Sequence, residues 1–223
     1  MCFLKNKQSK VIILLIATMF FITSCGLYGV RGSGRVTDEF RELDDFSKLD
    51  ISGAYVVNII TGEKPGVKIT AEDNLIRLIR TRVRGSRLIV DTRKSISPRE
   101  DIILDITVPN LIYVETSGAN SIFIENLDED EFVLDFSGAG TVTLEGIVNM
   151  FKADISGAGS LKAKRLKAKR VYLDLSGASS ANVYASKYLN VDVSGVGNVE
   201  YYGNPEKVVS DVSGLGSIEN AEK

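Results

Sequence analysis

The chain of 223 residues contains no histidine, no tryptophan and only two cysteines. Without histidine, neither a Ser-His-Asp triad nor a Cys-His pair can be assembled. The same absences argue against a transition-metal site, because histidine and cysteine are the usual ligands of those ions. The missing residue types therefore exclude the commonest hydrolase sites, and we predict that the protein has no cofactor.

The two cysteines lie near the N-terminus. Three lysines precede an apolar run over residues 11–21, and Thr23-Ser24-Cys25 follows. This order is typical of a secretory signal, predicted over residues 1–24, and the run is shorter than the about 20 residues of a membrane-spanning helix. The small residues before Cys25 resemble a bacterial lipobox and predict that Cys25 is acylated. An ordinary signal peptide and a short anchor helix are the alternatives. Because Cys2 leaves with the leader, no disulfide is expected.

The charge of the exported chain is moderately acidic. Removal of the leader with its three lysines leaves 24 basic and 29 acidic residues, a net charge near -5. A domain that binds nucleic acid usually carries a basic surface. We therefore predict no nucleic-acid partner.

A short motif recurs seven times: an acidic residue, any residue, then Ser-Gly. From the second copy onward the spacing is 18 to 20 residues, whereas the first gap is 65 residues. A period this short predicts a solenoid, in which each coil buries its apolar side against its neighbours. The serines are Ser52, Ser117, Ser137, Ser156, Ser176, Ser194 and Ser213.

Each copy predicts two strands joined at a corner. Apolar and polar residues alternate on both sides of the Ser-Gly pair, which is the period of a half-buried strand. Glycine suits the corner because it adopts positive φ without penalty. The sequence thus predicts an all-β fold, a right-handed parallel β-helix with coils of about 19–20 residues. Its N-terminal portion is expected to be irregular and rich in strands.

The predicted organisation has four parts. Residues 1–24 are the signal peptide, 25–35 a flexible tether, 36–110 the irregular β portion and 111–223 the regular repeats, with 36–223 forming one continuous domain. Within the irregular portion, residues 81–92 predict a hairpin around Gly85-Ser86, and residues 71–79 a short helix.

The Asp-x-Ser-Gly-Ala-Gly repeats resemble the bacterial family called putative auto-transporter adhesin, head GIN domain. The segments 201–205 and 212–218 carry the same resemblance, as do Phe46–Gly62 and Leu75–Val90, and it extends from about Gly34 to the C-terminus. The resemblance implies a secreted or lipid-anchored β-helical protein of a kind common in Bacteroidetes. It implies adhesion only through the family name, and it supplies no catalytic residues.

The acidic residue of the motif forms a predicted ladder along one face, with carboxylates about 4.8 Å apart. One interpretation is a row of Ca²⁺ sites; the other is that the carboxylates or serines accept hydrogen bonds at the corners. Because each coil supplies only one carboxylate, we predict no metal site. The ladder consists of Asp50, Glu115, Asp135, Asp154, Asp174, Asp192 and Asp211.

One coil carries a basic stripe, six cations within nine residues. The stripe is a candidate surface for an anionic glycan or lipid head group, although it is also explained as a solvated face that offsets the ladder. Tyr184 and Tyr202 occupy the same repeat position and should project outward, where tyrosine rings can contact a sugar or brace neighbouring strands. The cations of the stripe are Lys162, Lys164, Arg165, Lys167, Lys169 and Arg170.

Catalysis is the weaker interpretation. A motif repeated seven times indicates a scaffold rather than a residue that is needed once, and the glycosidase chemistry of two carboxylates requires one distinctive pair. We therefore predict a non-catalytic protein with a binding or adhesion role. We expect it to be exported and lipid-anchored in the cell envelope, in the outer membrane. Its expected partners are the membrane and a glycan or another envelope component. A carbohydrate-active β-helix enzyme and a purely structural envelope protein are the alternatives.

Overall fold

The computed structural model describes residues 29–222, so the predicted signal peptide and Cys25 lie outside the described residues. Within this range the chain is all-β, with twelve strands and a 3-10 turn at Ile76–Leu78. The strands are β1 Val30–Arg31, β2 Val36–Glu42, β3 Lys48–Gly53, β4 Val56–Thr61, β5 Gly66–Glu72, β6 Ile79–Arg84, β7 Arg87–Thr92, β8 Ile96–Ser97, β9 Ile103–Val108, β10 Tyr113–Tyr202, β11 Lys207–Val212 and β12 Leu215–Asn220.

Most strands join one large mixed sheet. Its order is β2-β5-β9-β4-β10-β3-β7-β6, and β11 and β12 also pair with β10. A separate two-stranded sheet is formed by β1 and β8. The long strand β10 spans 90 residues and contains five of the seven Ser-Gly motifs.

Equivalent positions of the repeat lie side by side in parallel strands. Ser52 of β3 is opposite Ser117 of β10, although 65 residues separate them. Asp211 of β11 is opposite Asp192 of β10, 19 residues earlier. The same register therefore holds for the long first gap and for the regular period, and in the paired stretches each outward-facing residue stands beside its counterpart in the neighbouring repeat.

The corner glycines have the backbone conformation that the sequence predicted. Gly157 has a φ of 111°, and Gly138 has a φ of 135°. A β-carbon built on Gly157 would fall on the carbonyl oxygen of Gly138, and one on Gly138 would fall on that of Gly118. Glycine is needed here for two reasons, because an L side chain would be strained at this φ and would collide with the backbone of the preceding repeat.

The sheet is mixed within residues 36–110, where the sequence predicted an irregular portion rich in strands. Antiparallel pairs join β2 to β5, β5 to β9, and β6 to β7. The reason lies in the 65-residue gap, which holds short turns that reverse the chain. The predicted hairpin is confirmed, with Arg84 opposite Arg87 and Gly85 at a φ of 59°. The predicted helix over 71–79 is reduced to the 3-10 turn, because β5 continues to Glu72.

One continuous apolar core runs from Phe46 to Val199. Alternate residues of β10 point into it, and the rings of Phe132 and Phe151, from successive repeats, stack with centroids 6.0 Å apart. Most of the core consists of aliphatic side chains that are under 3 % exposed. The two-residue alternation read from the sequence therefore fixes which side of each strand is buried.

Residues 29–35, which the sequence assigned to a flexible tether, are attached to the domain. Strand β1 pairs in parallel with β8, with Val30 opposite Ile96. The buried carboxylate of Glu72 accepts hydrogen bonds from the backbone amides of Gly34, at 2.5 Å, and Arg99, at 2.9 Å. The ordered domain thus begins closer to Cys25 than the sequence indicated.

Candidate ligand surface

The basic stripe is formed as its sequence predicts. All six cations are exposed, and the apolar residues between them point into the core. The repeat from Ser156 to Ser176 is 20 residues long, and the whole stripe lies within it. The stripe therefore does not extend across several repeats. It therefore divides into two groups of side chains that point in different directions.

The first group covers the two tyrosines. The Nζ atom of Lys164 lies 3.9 Å from the ring centroid of Tyr202, and that of Lys167 lies 3.8 Å from the centroid of Tyr184. Both distances are in the range of a cation–π interaction. Tyr184 also packs against Gly203, where an added β-carbon would stand 2.8 Å from the ring. One face of each tyrosine is thus covered by a lysine of the stripe and is not open for stacking on a sugar.

The second group contributes to a groove of about 470 Å³. Lys169 and Arg170 line it together with Lys187 of the next repeat, and Asp130 and Glu131 also line it. Between the two groups, Arg165 forms a salt bridge of 2.7 Å with Glu145. The groove is therefore lined by charges of both signs.

Sequence reasoning did not identify Lys187, Asp130 or Glu131 as neighbours of the stripe. Lys187 follows its motif serine, Ser176, by eleven positions, as Lys167 follows Ser156. Aligning the repeats beyond the strands would have placed these two lysines in one column. The acidic residues come from the run Asp128–Glu131, two repeats earlier. Their proximity to the stripe depends on the distance between repeats, which the sequence alone does not give.

The acidic ladder faces outward, as predicted, and its partners differ along its length. Near the N-terminal end, Arg87 forms a salt bridge of 2.8 Å with Glu115, and the hydroxyl of Tyr113 donates to Asp135. Further along, partial burial and then the charges of Asp174 and Asp135 raise the pKa of Asp154 above its ordinary value. The repulsion expected between stacked carboxylates is thus most apparent at Asp154.

The corner hydrogen bonds involve the serines more than the acids. The hydroxyl of Ser117 donates to that of Ser52 at 3.1 Å, and the hydroxyl of Ser137 donates to the carbonyl oxygen of Thr116 at 3.4 Å. Among residues 29–222 no three carboxylates lie close enough together to hold a metal ion. The ladder in this part of the chain is therefore a row of single carboxylates.

Comparison with known proteins places this architecture in a family. The sequence profile described as putative auto-transporter adhesin, head GIN domain, matches residues 45–205. The chain belongs to this family. A search of curated proteins found no match.

Solved structures share the fold at low sequence identity. A putative adhesin from Bacteroides fragilis is 22% identical, with a TM-score of 0.69; the match covers 86% of this chain and 100% of that one. A putative adhesin from Parabacteroides merdae is 20% identical, with a TM-score of 0.54, over 86% of this chain and 99% of that one. A putative lipid binding protein from Parabacteroides distasonis is 18% identical, also with a TM-score of 0.54 and the same coverages.

The family description is consistent with a binding role. Across residues 29–222, no helix has the length and apolar character needed to cross a membrane.

Proposed function

We propose that the chain is an exported, lipid-anchored envelope protein that acts without catalysis, as a binding or adhesion module. In this proposal the repeats form a right-handed parallel β-helix, residues 36–223 make one continuous domain together with the attached residues 29–35, and Cys25 carries the lipid in the outer membrane. The observation that carries the binding role is the basic stripe, which presents six exposed cations on an otherwise acidic chain.

Three observations support the β-helix. Parallel pairs join equivalent positions of successive repeats, as Ser52 with Ser117 and Asp192 with Asp211. The corner glycines lie backbone to backbone from one repeat to the next. Crossover connections between parallel strands are almost always right-handed, which favours that hand.

The ligand that fits the stripe is an anionic polymer, such as an acidic glycan of the envelope. Lys162, Lys169 and Arg170 form no salt bridge with another residue in the range 29–222. Their charges are therefore available to a ligand, whereas Arg165 is engaged by Glu145. Because the parallel strands fix the backbone beneath the stripe, binding has to order only the long side chains, which limits the entropic cost.

Purified protein tested against a panel of glycans, for binding and for cleavage, separates the candidate functions. We expect binding of acidic glycans without cleavage, and at least a tenfold loss of affinity in the double variant Lys169→Glu/Arg170→Glu. The matched control Lys64→Glu/Arg84→Glu reverses two exposed charges outside the stripe and should bind as the wild type does. Cleavage of a glycan would favour the enzyme, and no binding to any glycan would favour a purely structural protein.

The anchor is tested by Cys25→Ser. We expect this variant to be released from the membrane fraction or to remain unprocessed, because Cys25 is the only cysteine downstream of the predicted leader. A variant that stays with membranes and keeps the mobility of the wild type on a gel would contradict acylation at this site.

A further inference from the structure

The ordered domain begins very close to the proposed anchor. Three residues separate Cys25 from Gly29, and the backbone amide of Val30 already donates to the carbonyl oxygen of Ser95 at 2.8 Å. A fully extended chain spans at most about 3.6 Å per residue, so the step from Cys25 to Gly29 covers no more than about 14 Å. If Cys25 carries the lipid, which this inference takes from the proposed function, the β1–β8 end of the domain must stand next to the head groups.

Specific hydrogen bonds hold this end of the chain on the domain. The side chain of Asn74 accepts from the amide of Ser33 at 3.0 Å and donates to the carbonyl oxygen of Arg31 at 2.8 Å. The amides of Gly34 and Arg99 donate to the two oxygens of the Glu72 carboxylate. Residues 29–35 therefore cannot serve as a long spacer unless these bonds break.

Three segments meet where the chain joins the domain, and together they are strongly basic. β1 lies against β8, Asn74 contacts Arg31, and the amide of Arg93 donates to the carbonyl oxygen of Leu78. The segments 29–35, 74–78 and 93–99 contain six basic residues and no acidic residue. All six are exposed: Arg31, Arg35, Arg77, Arg93, Lys94 and Arg99.

Five of these six cations form no salt bridge within residues 29–222. Arg35 is engaged by Asp73 at 2.8 Å, and Arg99 is followed directly by the exposed Glu100 and Asp101. We call the remaining four the N-terminal basic patch. The patch consists of Arg31, Arg77, Arg93 and Lys94.

We propose that the N-terminal basic patch binds the phosphate groups of anionic phospholipids in the same bilayer that holds the acyl chains of Cys25. Basic residues close to an anchor add to membrane binding because anionic head groups attract them over roughly a Debye length. A link of at most about 14 Å allows the patch to approach the head groups to within that range. The domain then rests on the membrane by its β1–β8 end, and β11 and β12, at the other end of β10, point away from it.

Single cysteines report this orientation cleanly, because the acylated Cys25 leaves the exported chain without a free thiol. The full chain with Ser95→Cys, or with Ser213→Cys in the last repeat, is labelled with a fluorophore. Each is reconstituted into vesicles containing phosphatidylglycerol and a lipid that carries a quencher on its head group. We expect quenching at position 95 to exceed that at position 213 by several-fold, and to fall as salt is raised.

Charge reversal tests the patch itself. The variant Arg31→Glu/Arg93→Glu/Lys94→Glu should reduce the quenching at position 95 by at least half. Lys162→Glu/Lys169→Glu/Arg170→Glu changes the net charge equally on a distant repeat and should leave it unchanged. A melting temperature for each variant verifies folding, and the salt dependence of the wild type gives a result that requires no substitution in the patch.

The outcomes separate this inference from the proposed function. Equal quenching at positions 95 and 213 in protein that floats with the vesicles overturns the orientation and leaves the anchor intact. The same holds if quenching is as strong in pure phosphatidylcholine vesicles, because anionic lipid is then not recognised. Protein that does not float with the vesicles overturns this inference and the proposed anchor together.

Discussion

From Tyr113 to Asn220 equivalent positions recur every 18 to 20 residues. Residues 29–112 have no such period, so most of their polar side chains have no equivalent elsewhere in the chain. Of the eight salt bridges within residues 29–222, five lie wholly inside 29–112 and two wholly inside 113–222. The regular part depends instead on parallel strand pairing, a core of aliphatic side chains and glycine corners. Stability is thus distributed over many equivalent contacts in one part and concentrated in individual residues in the other.

Arg41 and Glu72 illustrate the concentrated kind. The guanidinium of Arg41 on β2 donates to the carbonyl oxygens of Ile79 and Ile76, at 2.9 and 3.2 Å, and so connects an edge strand to the 3-10 turn and β6. Glu72 joins the start of the domain to the segment after β8. Such contacts close the end of the sheet, where a regular repeat would leave unpaired strand edges.

The largest effect should come from a corner glycine of the regular part. Gly157→Ala places a β-carbon on the carbonyl oxygen of Gly138 at a φ of 111°. Backbone strain and the collision together should lower the free energy of unfolding by more than about 3 kcal/mol. Chemical denaturation of the purified variant measures this loss.

Gly62→Ala is the matched control, because it separates the strain from the collision. Gly62 has a similar φ of 98°, but a β-carbon there would have no neighbour within 4 Å. Its loss should be limited to strain, about 1 kcal/mol. If the two variants were equally stable, close approach of successive repeats at the corner would not be what requires glycine.

A smaller and local effect is expected at Glu72. Burial by itself raises the pKa of this carboxyl group, but the amide hydrogen bonds from Arg99, Gly34 and Glu100 outweigh burial and hold the pKa below 4.5. A lowered pKa in the folded state means that the ionised group stabilises the fold, and that this contribution is lost as the pH falls below about 4.5. Acid should therefore release residues 32–34 before the repeats unfold.

Hydrogen exchange at the amides of Gly34 and Arg99 measures this release. Protection at both amides should decrease as the pH falls below 4.5 in the wild type, and should be low at every pH in Glu72→Gln. The control Glu63→Gln, at an exposed position between β4 and β5, should behave as the wild type. Unchanged protection in Glu72→Gln would show that the carboxylate charge is not what holds this segment.

The regular part could be predicted from sequence far better than the rest, and the reason is the period. Alternation around each Ser-Gly pair identifies the buried side, as at Leu161 and Ala163, and the fixed spacing implies the parallel register. Because the motif is repeated, several copies show whether a given position is apolar or polar. Most positions within residues 36–110 occur only once, so no second copy supports the prediction made for them. The hairpin at Gly85 was predicted there, but the antiparallel pairing of β5 with β2 and β9 was not.

The residues of the candidate surface were predicted from the sequence, but the contacts between their side chains were not. The sequence identified the six cations and the two tyrosines, yet it did not indicate that Lys164 and Lys167 cover the rings of Tyr202 and Tyr184. Long side chains reach beyond the adjacent repeat, and their direction depends on packing that has no period. The ordering of residues 29–35 was missed for a similar reason, because glycines usually indicate a linker and the partner Glu72 is distant in sequence.

A still smaller effect, of the opposite sign, is expected in the ladder. Partial burial and the neighbouring carboxylates raise the pKa of Asp154, so its ionisation destabilises the fold. Asp154→Asn should therefore raise the melting temperature at pH 7, with a gain of less than about 1 kcal/mol in the free energy of unfolding. The gain should disappear below pH 3.8, where the aspartate is protonated in both the folded and the unfolded state. Thermal unfolding at the two pH values, with the exposed Asp44→Asn as control, measures it. A lower melting temperature at pH 7 would show that the charge has a stabilising partner.

A chelator should leave the melting temperature unchanged. An ion bound to the folded ladder would stabilise it by mass action, so its removal would lower the melting temperature. Ca²⁺ requires about six to eight oxygen ligands, whereas each repeat places one ladder carboxylate on this face and no three acids within residues 29–222 lie close enough together to share an ion. Added salt should instead give a slight increase in melting temperature by screening the repulsion around Asp154. A fall of several degrees with chelator, reversed by Ca²⁺ and absent in Asp154→Asn/Asp174→Asn, would contradict this expectation and make the acidic face, rather than the basic stripe, the candidate ligand surface.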